Sequence, residues 1–143
     1  MIRDFEPHVP AGSQLMPPLL GAFFVFATLM CSAAAWSLLV PNGPAASIWI
    51  LKPEQFRQML SFGPIVGVGF LLLAAVMAIT SIGCFAAKSW GWRLAVAIIG
   101  INAVADGARA VTGEIVEGLI GLVIAAGVFW GLLRPLVRKA FRS

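Results

Sequence analysis

Tyrosine is absent and histidine occurs once, at His8, so a bis-histidine haem site cannot be built within this chain and a histidine-based metal centre has little to draw on. Cysteine occurs twice, at Cys31 and Cys84, with no CxxC spacing and no neighbouring histidine, which argues against structural zinc. The span assignment below puts Cys31 at mid-bilayer and Cys84 near one surface, and that difference in depth argues against a disulfide between them. Charge is scarce as well. Only 11% of the 143 residues are charged, against roughly 25% in soluble domains, and just six are acidic. No Gly-rich phosphate loop follows a strand pattern, and no nucleophile stands beside a base, so the sequence carries no catalytic signature and reads as non-enzymatic.

Apolar residues fill the space that charge leaves. They make up 60% of the chain, and the mean hydropathy is +0.96. They are gathered into runs long enough to cross a bilayer, which takes about 20 residues. Only helices and closed barrels satisfy the backbone in lipid, and runs of this length select helices. The expected fold is therefore all-α: a four-transmembrane-helix bundle with a short interfacial helix in its first outer loop.

Residues 1–18 read as an exposed arm in which Pro7, Pro10, Pro17 and Pro18 prevent one continuous helix. This arm is polar, and the apolar run behind it is longer than a signal-peptide core, so it does not read as a cleaved leader. The membrane domain is expected over 19–133, with spans at about 19–40, 62–87, 92–108 and 114–133, the third being the shortest. Residues 134–143 form a basic tail. Between the first two spans, Pro53 is suited to open a helix. Phe56, Met59 and Leu60 then share one face, with Glu54, Arg57 and Gln58 opposite, a pattern that suits a helix lying in the membrane surface. Trp49, Phe56, Trp90 and Trp92 are the expected interfacial anchors, because aromatic rings collect at headgroup level. Gly63, Gly67, Gly118, Gly121, Gly127 and Gly131 are the expected helix-packing positions, since small residues let helix backbones approach closely.

The ten Lys and Arg residues set the orientation. Arg3, Lys88, Arg93, Arg134, Arg138, Lys139 and Arg142 fall on one side of a four-span chain, and Lys52, Arg57 and Arg109 on the other. The richer side is cytoplasmic by the positive-inside rule, so both termini are expected there. The net charge of +4 is explained by this flanking pattern, and nucleic acid is not an expected partner.

Half of the acidic residues sit between Gly100 and Gly118. Asn102, Asp106 and Arg109 recur at helical spacing on one stripe, and Glu114 and Glu117 on another. This is the candidate ion or partner site. Ionisable groups at membrane depth are a functional hypothesis by default, and several carboxylates together suit a cation or a proton. The structural reading of the same residues is a local Asp106–Arg109 ion pair, Glu114 at the positive end of a helix, and Thr112 as its N-cap.

The motifs Lys88-Ser-Trp-Gly-Trp-Arg-Leu-Ala, Asn102-x-x-x-Asp106 and Leu133-Arg134-Pro135-x-Val-Arg138-x-x-Phe141 resemble small bacterial integral membrane proteins with four predicted spans, over residues 60–143. The resemblance implies a bacterial inner membrane and brings no activity with it. The expected function is that of an accessory or structural subunit packing against partner membrane proteins or itself, surrounded by membrane lipid. A small oligomeric ion, proton or solute transporter using the polar hairpin is the alternative. No cofactor is expected, although a bound lipid, quinone or pigment between apolar helices is compatible with the sequence.

Overall fold

The computed structural model describes residues 11–113 and 115–141. The described residues are all-α: α1 (Ala11–Gln14), α2 (Met16–Leu39), α3 (Pro53–Ser61), α4 (Pro64–Phe85), α5 (Ser89–Thr112), α6 (Ile115–Leu133) and α7 (Pro135–Ala140), with a 3-10 turn at Pro44–Trp49. The helices α2, α4, α5 and α6 are long and apolar enough to span a membrane. The chain is an integral membrane protein, with four such helices among the described residues.

Proline fixes the helix starts. Pro44, Pro53, Pro64 and Pro135 each stand at the beginning of a helical segment, where the missing N–H would have no intrahelical partner anyway. The second span therefore opens at Pro64, two residues later than expected. The break before it passes through Gly63, at φ 73, a conformation that glycine adopts without strain.

The described residues form two compact units, one of residues 21–81 and the other of residues 11–20 with 82–113 and 115–141. In the first unit α2 and α4 run antiparallel. Gly67 on α4 lies against Leu39 and the carbonyl of Ala35, and Ser81 donates to the carbonyl of Gly21 at 2.9 Å near the opposite ends of both helices. Thr28 and Thr80 donate back to carbonyls four residues earlier in their own helices, which satisfies the hydroxyls without a partner helix. A short helix, α3, forms where an interfacial helix is expected, with Glu54 and Arg57 paired at 3.1 Å on its exposed side.

In the second unit α5 and α6 form an antiparallel hairpin. Gly91, Ala95 and Ile99 make a buried stripe on α5 at i, i+4, i+8, and Gly118 and Leu132 are buried on α6. The third span is not the short one: α5 has 24 residues and α6 has 19. It extends past the expected end at residue 108, so Asp106 and Arg109 lie inside a helix. The corner between α4 and α5 is closed by Lys88 N–H donating to the Gly83 carbonyl at 3.0 Å and Ala87 N–H to the Cys84 carbonyl at 3.0 Å. That double bond pattern needs a left-handed residue, and Ala87 supplies it at φ 49. Within the stretch expected as a basic tail, Pro135–Ala140 is helical, with Val137 and the following Phe141 buried.

Candidate functional site

The polar hairpin is built on the last two turns of α5, the Gly113 turn and the first turns of α6. Gly113, at φ 122, ends α5 and donates its N–H to the Arg109 carbonyl. Thr112 is not the N-cap of the next helix. It belongs to the last turn of α5, and its hydroxyl donates back to Ala108 and Arg109 carbonyls at 3.1 and 3.2 Å. Glu114 lies outside the described residues.

Asp106 is the central side chain. It lies two turns before the end of α5, about 9 Å along the axis at helical rise. The helix is about 36 Å long, more than a hydrocarbon core of about 30 Å requires. Its side chain is 23% exposed and pairs with the more exposed Arg109 guanidinium at 3.7 Å. Across the hairpin the Asp106 carboxylate rests on Gly121: a Cβ built there would stand 2.5 Å from Oδ2. One turn away, Gly118 lies against the Asp106 carbonyl and the Ala110 backbone, so the two main chains touch at this level.

The structure thus brings together Asp106, Arg109, Gly118 and Gly121. Asn102 and Glu117 are both exposed. What the arrangement does chemically is hold one carboxylate beside one guanidinium near the end of α5, with the opposing helix kept close by glycine. Among the described residues no three His, Cys, Asp or Glu side chains are grouped to hold a metal ion.

The six expected packing glycines divide into two groups. Gly67, Gly118 and Gly121 lie against a facing helix of the same unit, whereas Gly63, Gly127 and Gly131 have nothing within 4 Å of a built Cβ. For Gly63 the reason is its role in a turn. Gly127 and Gly131 lie on an outward face of α6 among Val123, Ile124 and Trp130, which are 69%, 62% and 72% exposed. A closer contact comes from glycines outside that set: Gly83 and Gly91 meet backbone to backbone at the α4–α5 corner, with the Trp90 ring beside Gly83.

The aromatic rings expected as anchors also make contacts within the protein. Trp49 donates its indole N–H to Ser37 Oγ at 2.7 Å and stacks on Phe56 at 5.6 Å, so both rings hold α3 within its own unit. Trp92 donates to the Leu132 carbonyl at 3.0 Å, and the Arg138 guanidinium sits 5.6 Å from its ring centroid. Trp90 remains partly exposed, and the most outward tryptophans are Trp36 and Trp130. Which face of a helix carries an outward tryptophan depends on the pairing of helices, and no residue spacing announces it.

Comparison with family models, with curated proteins and with solved structures finds no match to this chain.

Proposed function

We propose that this protein is a non-enzymatic subunit of a membrane assembly, packing laterally against partner membrane proteins or a second copy of itself. The observation that carries the reading is the outward face of α6. Gly127 and Gly131 are one turn apart and meet nothing in their own chain, while branched Val123, Ile124 and Val128 stand exposed around them. Transmembrane helices gain little from hydrophobicity when they associate, because lipid is equally apolar; they associate where small residues allow close approach. A smooth groove with branched flanks is the surface that such association uses. No cofactor enters this reading, and lipid fills what partners do not cover.

Orientation follows from charge, which puts both termini in the cytoplasm, and the resemblance of residues 60–143 to small bacterial membrane proteins favours a bacterial inner membrane. The meeting of Trp92, Leu132 and Arg138 supports the grouping of basic segments on one side, since it puts the start of α5 and the end of α6 at one end of the hairpin.

Gentle extraction from native membrane followed by native mass determination tests the reading. A defined assembly at fixed stoichiometry, lost on Gly127→Leu, is the expected result. A monomer with or without the substitution refutes it. The transporter reading has one observation in its favour, the Asp106 carboxylate held half-buried at the helix contact. Cation or proton flux in reconstituted vesicles, abolished by Asp106→Asn, would decide for it.

A further inference from the structure

The end of the second unit where α7 lies is basic, concave and in part apolar. Arg134, Arg138 and Lys139 project from α7 or its N-cap, and Lys88 and Arg93 flank the nearby start of α5. The sequence has no acidic residue from Gly118 onward and none between Gln55 and Ala105, and among the described residues none of these five cations is in an ion pair. Three concavities border α7. One, of about 440 Å³, is lined by Lys139 together with Gln14, Pro17, Pro18 and Phe85. A second, of about 230 Å³, is shared by Arg138 and Lys139 with Leu133 and Pro135. A third, of about 240 Å³, sets Arg134 beside the exposed Trp130.

The helix that carries Arg138 and Lys139 is held in place. Val137 and Phe141, at i and i+4, are buried and dock α7. Arg138 is further held by its position over the Trp92 ring, and Trp92 by its hydrogen bond to the end of α6. A docked helix loses less backbone freedom when an anion binds its cations than a loose tail would.

We infer that this end of the protein binds an anionic phospholipid headgroup, with the phosphate among Arg134, Arg138 and Lys139 and the acyl chains along the adjoining apolar surface. Two features select a lipid over a soluble phosphate compound. The cations stand at the terminus of a membrane-spanning helix, where headgroups lie, and the walls between them are apolar (Phe85, Leu133, Trp130). Basic clusters at that depth attract anionic lipid, and each cation near the surface strengthens binding about fivefold. The inference does not depend on the subunit reading above, because it concerns lipid that the protein would hold whether alone or in an assembly.

The test is native mass spectrometry of the full chain in detergent. The lipids are equimolar phosphatidylglycerol and phosphatidylcholine with the same acyl chains. Preferential retention of phosphatidylglycerol is expected. The double variant Arg134→Gln/Lys139→Gln should lower that preference about 25-fold, at about fivefold per charge. This double variant leaves Val137, Phe141 and the Arg138–Trp92 contact in place, and an unchanged circular dichroism spectrum confirms that it folds. Arg57→Gln on α3 should leave the preference as it was. Equal retention of the two lipids would overturn the inference. So would a preference that survives the double variant, an equal loss in Arg57→Gln, or displacement of the lipid by glycerol 3-phosphate at the same concentration.

Discussion

Alanine substitutions at Gly118, Gly121 and Gly127 apply one chemical change at three heights on one helix face or another, and the structure gives each a different consequence. At Gly118 the added methyl would stand 2.7 Å from the Asp106 carbonyl and 2.8 Å from Ala110 Cα, both main-chain atoms. Ordinary contact is about 3.5–4.0 Å, so α5 and α6 must separate by close to 1 Å. Overpacking of this kind costs about 1–3 kcal/mol. At Gly121 the obstruction is the Asp106 carboxylate, the end of a flexible side chain. It can swing away at the expense of the 3.7 Å contact with Arg109, a partly exposed pair worth about 0–1 kcal/mol. At Gly127 the methyl meets nothing, and the change is neutral or slightly stabilising for the monomer. Unfolding of the purified chain in mixed micelles of mild detergent and sodium dodecyl sulfate should therefore rank Gly118→Ala well below Gly121→Ala, and Gly121→Ala below Gly127→Ala. Asp106→Ala should relieve the Gly121→Ala penalty, because the two groups are in contact, and leave the Gly118→Ala penalty nearly intact. Equal midpoints for Gly118→Ala and Gly127→Ala, or no coupling between positions 106 and 121, would show that the hairpin is not packed as described.

Ala87→Gly should stabilise the protein by about 1 kcal/mol, since it removes the cost of a Cβ in the left-handed conformation; the same micelle unfolding measures it. Ser37→Ala and Trp49→Phe each break the 2.7 Å bond that ties the Pro44–Trp49 turn to α2, and each should cost about 1 kcal/mol, with little further loss in the double variant. Gly91→Ala should be among the most damaging single changes, because its methyl would meet the Gly83 main chain; a loss of folded monomer on size exclusion in detergent would register it.

The four spans were legible because hydrocarbon leaves the backbone one local solution: any apolar run of the right length must be a helix, whatever its neighbours. The prolines at 44, 53, 64 and 135 punctuated them for equally local reasons. Helix pairing was not legible. Gly127-x-x-x-Gly131 and Gly118-x-x-Gly121 look alike in sequence, yet one faces outward and the other inward, and only the register of α5 against α6 decides between them. The full length of α5 is not legible for a related reason. Asp106 and Arg109 look like a membrane boundary, but at i, i+3 within a helix they satisfy each other, so the helix continues to Thr112. The roles of Trp49 and Trp92 depended on acceptors at Ser37 and Leu132, 12 and 40 residues away.

The division of glycines along α6 bears on why the helix has them at all. Glycine inside a helix is less favourable than alanine by about 1 kcal/mol in water-exposed hosts, chiefly through backbone entropy. At Gly118 and Gly121 the cost is offset within the chain, since no larger residue would let α5 approach to backbone contact. At Gly127 and Gly131 no such contact exists, and alanine or leucine would fit a lipid-facing helix at least as well. If these two positions served only to face lipid, Gly127→Ala/Gly131→Ala should leave every property of the protein in its native membrane unchanged. If the face receives another helix, the same double variant should leave monomer stability intact in detergent and still weaken co-purification of the assembly. An outcome of that second kind would place the offset outside the chain. Unchanged recovery of an assembly would remove the outward groove from the argument and leave the polar hairpin as the better place to look for function.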